Sequence, residues 1–130
     1  MKMLRIVLLL AAVALAGCSE NAPDIDVVDS YDMGTVVKGE LAAADLAVRN
    51  RGNGPLTVVA VSTSCGCTTA TLTPMLIPAG GEGRLRIEYD SAAHESDLGR
   101  IDRSVFISSN DPDENDVQIR FTVFVLAGAA

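Results

Sequence analysis

The sequence predicts an all-β fold, an antiparallel β-sandwich, for the chain from Ile25 onward. Apolar and polar residues alternate with a period of two, which is typical of strands with one buried face. Clusters of glycine, proline and asparagine separate these segments, and no segment has the period of an amphipathic helix. About six or seven short strands of this kind indicate a sandwich, with a small barrel as the alternative.

The first half of the domain carries two clear strand signals. Residues 46–50 alternate, with Leu46 and Val48 on one face and Ala47 and Arg49 on the other. Residues 51–55, Arg-Gly-Asn-Gly-Pro, form a dense turn signal. Residues 56–61 are a β-branched apolar run, which predicts a buried central strand.

The second half contains three further strands. Pro74, Pro78 and the Gly80-Gly81 pair interrupt the chain before a strand that places Leu85, Ile87 and Tyr89 on one face. Residues 101–108 and 117–126 form the other two, and the last strand has five apolar residues on one face: Val117, Ile119, Phe121, Val123 and Val125. We expect Tyr89, Phe106 and Phe121 to lie in the core.

Residues 1–17 have the layout of a secretory signal peptide. Lys2 and Arg5 give a positive start, and residues 6–16 form an uncharged apolar run that ends in Leu-Ala-Gly-Cys at Cys18. The run is too short to span a bilayer, which takes about 20 residues. The ending resembles the bacterial lipobox, in which the cysteine is diacylated and becomes the mature N-terminus. Ordinary secretion, with cleavage after Ala16, is the alternative.

Lipidation of Cys18 would anchor the protein to the cell envelope, since two or more acyl chains give stable membrane attachment. Residues 18–24 then form the lipidated N-terminus and a polar tether, and residues 25–127 form the domain. Ser19 follows the cysteine, whereas Asp at this position is the usual signal for retention in the Gram-negative inner membrane. In a Gram-negative host we therefore expect the outer membrane, with the domain facing the periplasm.

Charge and composition limit the partners of the mature chain. Without Lys2 and Arg5, 8 basic and 17 acidic residues remain, a side-chain net charge of −9. This surface repels phosphates, so we expect no nucleic-acid partner. The chain has only five aromatic residues and no tryptophan, which disfavours carbohydrate binding.

Several motifs together resemble a known family. They are Asp32-x-Gly34-Thr35-Val36, Gly39-Glu40, Leu46-x-Val48-x-Asn50-x-Gly52, Pro55-Leu56, Thr63-Ser64-Cys65-Gly66-Cys67-Thr68, Ile77-Pro78-x-Gly80, Tyr89-Asp90 and Ser108-Ser109-Asn110. The chain resembles the bacterial family called domain of unknown function 1573. That resemblance implies an immunoglobulin-like sandwich of about seven strands, similar to the Hydin and major-sperm-protein group, and an envelope location, but no activity. Met33, Leu46 and Val48 replace aromatic residues common in the family's first strands.

The Cys65-Gly66-Cys67 segment is the one constellation with clear chemical potential. Residues two apart in a strand share a face, with Cα atoms roughly 6.6 Å apart, near the upper limit for a disulfide. Gly66 could allow a tighter, readily reduced ring. Alternatively, two thiolates could hold a soft ion such as Cu(I), with His94 as a third ligand if its loop folds toward Cys65. The simplest alternative is a pair of buried structural thiols.

Three other segments carry weaker signals. The run His94-Glu95-Ser96-Asp97 is expected to be a solvated loop, because a catalytic triad is a spatial arrangement and not a run of neighbours. Residues 111–116 begin like a calcium loop, but Asp116 stands at the glycine position and Thr122 at the acidic twelfth position. Residues 80–83 lack the lysine of a phosphate loop and are expected to form a turn.

These features favour a membrane-anchored, non-enzymatic interaction or scaffold module with a protein partner in the envelope and no cofactor. A soft-metal (copper) binding or redox module centred on Cys65 and Cys67 is the second hypothesis. An enzyme is the third, and the absence of a catalytic constellation from the sequence disfavours it.

Overall fold

The computed structural model describes residues 21–128, which form nine β-strands and no helix. The strands are β1 (Ile25–Asp26), β2 (Ser30–Val37), β3 (Leu41–Asn50), β4 (Leu56–Thr63), β5 (Thr68–Thr73), β6 (Leu76–Ile77), β7 (Glu82–Asp90), β8 (Gly99–Ser109) and β9 (Asp116–Leu126). In this part of the chain, no helix exists that is long and apolar enough to cross a membrane. The predicted signal peptide and Cys18 lie outside the described residues.

The strands form two sheets, which confirms the predicted sandwich. One sheet has the order β1-β3-β7-β5, and the other has the order β2-β9-β8-β4-β6. One pairing departs from the antiparallel pattern, because β2 runs parallel to β9, with Tyr31 opposite Phe121. The two strands are far apart in sequence, so no tight turn forces them to be antiparallel.

The core lies between the sheets, on the faces that the alternation predicted. Leu85, Ile87 and Tyr89 of β7 are fully buried, as is Val123 of β9. The rings of Tyr89 and Phe121 meet edge to face across the core, with centroids 6.4 Å apart. This geometry adds to the stabilisation that burial of the two rings provides.

Two predictions about burial were wrong. Phe106 is 39% exposed, because the alternation of β8 turns Val105 and Ile107 inward and Phe106 outward. Residues 56–61 are not a strand buried on both faces, because Leu56 and Val58 are buried while Val59 is 68% exposed. Strand β4 lies near the edge of its sheet, and only the two-residue strand β6 covers part of its outer side.

The sandwich has two ends that matter for function. The N-terminal pole holds residues 21–25 against the β3–β4 turn and the β8–β9 loop. The cysteine pole, at the opposite end, holds the β4–β5 loop with Cys65 and Cys67 and the β7–β8 loop with His94. Strand β7 runs between the poles, and its nine residues span roughly 30 Å.

Candidate functional site

The cysteine pair lies in the loop that carries the chain from one sheet to the other. Strand β4 ends at Thr63 and β5 begins at Thr68. The Ser64 N–H donates to the Ser104 carbonyl of β8 at 2.9 Å. The Cys67 carbonyl accepts from the Asp90 N–H at the end of β7 at 2.8 Å. The loop is therefore fixed to both sheets.

The sulfurs of Cys65 and Cys67 are bonded to each other as a disulfide, and their Cα atoms are 5.2 Å apart. The two residues differ in access to solvent, since Cys65 is half-buried and Cys67 is only 3% exposed. The Cys67 N–H also points to the Cys65 sulfur at 3.1 Å. Of the two sulfurs, Cys65 is the one that a reagent from solvent can approach.

The β7–β8 loop brings His94 to Cys65. The exposed imidazole has its Nε2 atom 3.3 Å from the Cys65 sulfur. Lys38 fixes this loop from the β2–β3 turn, because its Nζ donates to the carbonyls of His94 and Asp97. The β7–β8 loop therefore folds toward Cys65, which is what a role for His94 as a third ligand requires.

A hydrogen-bonded network of Arg103, Asp97 and Tyr89 lies beside Cys67. Arg103 Nε donates toward the Cys67 sulfur at 3.4 Å, and its Nη2 forms an ion pair with Asp97 Oδ2 at 3.0 Å. The same Asp97 oxygen accepts from the Tyr89 hydroxyl at 2.8 Å. Burial of Tyr89, together with this hydrogen bond to the Asp97 carboxylate, raises the pKa of Tyr89 to about 12. The prediction that residues 94–97 form a solvated loop was wrong for Asp97, which is 7% exposed.

Sequence analysis did not identify the network of Arg103, Asp97 and Tyr89. The sequence does indicate one member of the network, because Arg103 stands at a core-facing position of β8, between Ile101 and Val105. A charged residue on a core face requires a buried partner. That signal does not reveal the partner, since Asp97 reaches Arg103 only through the path of the β7–β8 loop.

The donor atoms of Cys65, Cys67 and His94 lie within 4.8 Å of one another. Among residues 21–128, this is the one group of three such ligands close enough to share an ion. Two sulfurs and an imidazole suit Cu(I) once the disulfide is reduced, because a soft ion prefers thiolate ligands. In the disulfide state the same sulfurs can take part in thiol–disulfide exchange.

The other sequence signals have structural explanations. Asp111 is 2% exposed, and its carboxylate accepts from the N–H groups of Ile25, Asp113 and Glu114. Hydrogen bonds from three backbone donors therefore account for the buried carboxylate of Asp111. Residues 80–83 lie in a turn and the start of β7, not before a helix. The lipidation candidate, Cys18, lies outside the described residues.

A cleft of about 500 Å³ opens beside the cysteine loop on the outer face of the five-stranded sheet. Its lining includes Ser64, Arg103, Ser104 and Arg120. Cys65, Cys67 and His94 do not line this cleft, so it is separate from the cysteine site.

Comparison with known proteins identifies the family. The chain belongs to the family described as "Protein of unknown function (DUF1573)", whose model matches residues 26–125. A solved protein of unknown function from Porphyromonas gingivalis W83 is similar, with 27% identity and a TM-score of 0.75 over 84% of this chain. The chain spans half the length of that protein, 50%. No curated protein matches the sequence.

More distant structures share the fold alone. The PapD-like domain 7 of human CEP192 has 12% identity and a TM-score of 0.58, with 99% of each chain covered. The periplasmic chaperone SfaE has 13% identity and a TM-score of 0.57, with 82% of this chain and 61% of the chaperone covered. These matches confirm the immunoglobulin-like, PapD-like sandwich.

Proposed function

We propose that the protein is a lipid-anchored, non-enzymatic interaction module of the cell envelope, attached through Cys18 and binding a protein partner. In a Gram-negative host the outer membrane carries it, and the domain faces the periplasm. The observation that carries the interaction role is an uncharged, unblocked edge strand, β5. The lipobox-like ending at Cys18 supports the anchor.

Strand β5 forms one edge of the four-stranded sheet. Its sequence, Thr-Thr-Ala-Thr-Leu-Thr, contains no charge and no proline, two of the devices that block an edge. Strand β4, which precedes β5 and belongs to the other sheet, is uncharged as well. Strand β6 pairs with only two residues of β4, Leu56 and Thr57. An extended segment of a partner can add to such an edge through backbone hydrogen bonds.

The N-terminal segment supports a defined orientation. Residues 22–24, expected as part of the tether, are held on the domain, since the Ala22 carbonyl accepts from the N–H groups of Asn53 and Gly54 at 3.1 and 3.2 Å. Only residues 19–21 would separate a lipid on Cys18 from this anchored point, a reach of about 13 Å from Cys18 to Ala22. The N-terminal pole then faces the membrane, and the cysteine pole points away from it.

Site-specific photocrosslinking in living cells tests the edge. A crosslinking residue at the exposed Thr69 of β5 should give a defined protein adduct, whereas one at Glu114, at the other pole, should not. A second substitution, Thr71→Lys, should abolish the Thr69 adduct, because a lysine on the edge strand opposes addition of another strand. Equal adducts at both positions, or an adduct that survives Thr71→Lys, would contradict the proposal.

Fractionation tests the anchor. Cys18→Ala should leave the protein uncleaved or released from membranes, because the acyl chains supply its stable attachment. Cys67→Ser, which leaves the lipidation signal intact, serves as the control and should remain in the membrane fraction. A wild-type mature protein that begins after Ala16 with an unmodified N-terminus would exclude lipid anchoring.

A thiol-based redox or copper-binding module is the second candidate, and the 3.3 Å approach of His94 to Cys65 favours it. The reduced chain, with Cys18→Ser so that no third thiol competes, should bind about one Cu(I) against a chelator. His94→Ala should weaken this binding, while Glu95→Ala in the same loop should not. Binding that is insensitive to His94→Ala would exclude the three-ligand site.

A further inference from the structure

The geometry points to an asymmetric thiol–disulfide exchange site, in which a partner thiolate attacks the sulfur of Cys65 and Cys67 is the leaving sulfur, stabilised by Arg103. This inference deepens the redox form of the second candidate function and rests on it. It is independent of lipid anchoring and of the β5 edge. The substrate class is a protein with a pair of reduced cysteines.

Access to solvent identifies Cys65 as the sulfur that is attacked. Exchange requires the attacking thiolate to approach one sulfur in line with the disulfide bond. Cys65 is half-buried, next to an exposed imidazole, while Cys67 is 3% exposed and packed among core residues. A partner therefore reaches Cys65 and not Cys67.

The positive charge of Arg103 identifies Cys67 as the leaving sulfur. When the bond breaks, its electron pair remains on the leaving sulfur as a thiolate. At Cys67 that charge would lie 3.4 Å from the Nε of Arg103 and 3.5 Å from the Thr68 hydroxyl, both of which can donate to it. A guanidinium beside a thiolate stabilises the thiolate, and the Asp97 ion pair holds this guanidinium in place.

The full exchange balances with a partner dithiol as the reductant. A partner thiolate forms a bond to Cys65 Sγ, the Cys65–Cys67 bond breaks, and Cys67 leaves as a thiolate. The partner's second thiolate then attacks the partner's first sulfur, which is bonded to Cys65; the partner's own disulfide forms, and Cys65 leaves as a thiolate. Cys65 takes a proton from His94 or from solvent. The partner dithiol is oxidised by two electrons, and this disulfide is reduced to a dithiol.

Glutathione serves as the probe, with the full chain carrying Cys18→Ser in every variant. In Cys67→Ser, the remaining Cys65 thiol should form a mixed disulfide with oxidised glutathione. In Cys65→Ser, the remaining Cys67 thiol should form this mixed disulfide at least about tenfold more slowly, since reactivity follows access to solvent. Intact mass after acid quenching measures both reactions.

Arg103 requires its own comparison with the disulfide intact. Arg103→Gln should slow reduction by glutathione about tenfold and shift the equilibrium toward the disulfide, because the Cys67 thiolate loses its cation. Arg103→Lys should restore part of the rate. Arg100→Gln, on the same strand with its exposed ion pair to Asp102, should react like wild type. Circular dichroism establishes that each variant is folded.

The outcomes are distinguishable. If neither cysteine exchanges in the folded protein, the redox form of the second candidate and this inference both fail. If both cysteines exchange at equal rates, or if Arg103→Gln behaves like Arg100→Gln, the asymmetric mechanism is overturned, and redox activity itself stands. None of these results bears on membrane anchoring or on the β5 edge.

Discussion

The carboxylate of Asp111 accepts a hydrogen bond at 2.8 Å from the backbone N–H of Ile25, 86 positions earlier in the chain. This contact joins the first strand to the β8–β9 loop at the N-terminal pole. The other carboxylate oxygen accepts from Asp113 and Glu114 within the loop. One buried side chain therefore holds the first strand against the β8–β9 loop and also orders the loop itself.

Asp111→Asn should destabilise the protein by about 1–3 kcal/mol at neutral pH, because at least one buried N–H loses its acceptor. Burial raises the pKa of Asp111, but the three N–H donors outweigh burial and leave the pKa below its ordinary value. This stabilisation is present above the unfolded-state pKa of about 4 and is lost as pH falls through the lower folded-state value. Urea unfolding at several pH values measures it.

The exposed neighbour Asp113 provides the control for this prediction. Asp113→Asn leaves all three hydrogen bonds to Asp111 in place and should unfold like wild type. The stability gap between wild type and Asp111→Asn should narrow in acid. A gap that stays constant down to pH values at which carboxylates protonate would contradict the role of the ionised carboxylate.

Tyr89→Phe should remove the hydrogen bond to Asp97 and cost about 0.5–1.5 kcal/mol. Because burial and Asp97 raise the pKa of Tyr89 to about 12, the bond's contribution is present below pH 10 and is lost as pH rises through the raised pKa. Ultraviolet titration should show a tyrosine ionisation near this value that Tyr89→Phe lacks and Tyr31→Phe keeps. Its persistence in Tyr89→Phe would refute the assignment.

The two faces of β7 and β9 should differ sharply in their tolerance of truncation. Ile87→Ala or Phe121→Ala should destabilise the protein by about 2–5 kcal/mol, because each leaves a cavity in a close-packed core. Arg86→Ala and Arg120→Ala, on the outer faces, should cost about 1 kcal/mol or less. Chemical denaturation compares the four variants, and similar losses on both faces would mean that the sheet faces are misassigned.

Sequence periodicity predicted the fold where polar residues mark the outer face. In β7, Arg84, Arg86 and Glu88 alternate with buried apolar residues, so only one assignment of the inner and outer faces fits the pattern. In β8, Ser104 and Ser108 share the outward parity of Phe106, but Phe106 was assigned to the core because it is aromatic. Residue type was also misleading in β4, where Val58 and Val59 are chemically alike and differ only in orientation.

The candidate site was predictable only in part, because it depends on contacts between distant segments. The spacing of Cys65 and Cys67 identified the two residues that form the disulfide as a candidate pair. The approach of His94, 29 positions from Cys65, results from the β7–β8 loop folding over the end of the sandwich. Periodicity does not encode that path, and the same limitation applies to Asp97, which lies in the same loop.

The orientation of the domain on its tether leads to the last prediction. Gly52 lies so close to residues 22–24 that a Cβ atom there would overlap the Ala22 carbonyl and would lie 2.6 Å from the Asp24 nitrogen. Gly52→Ala must therefore displace this backbone and should cost about 1–3 kcal/mol. The amides of Asn53 and Gly54, which donate to Ala22, should then exchange faster with solvent deuterium.

Gly66→Ala is the control, since a Cβ atom there meets nothing within 4 Å. Unchanged exchange in Gly52→Ala would show that residues 22–24 are not held on the β3–β4 turn, and the fixed orientation relative to a lipid on Cys18 would then lose its support.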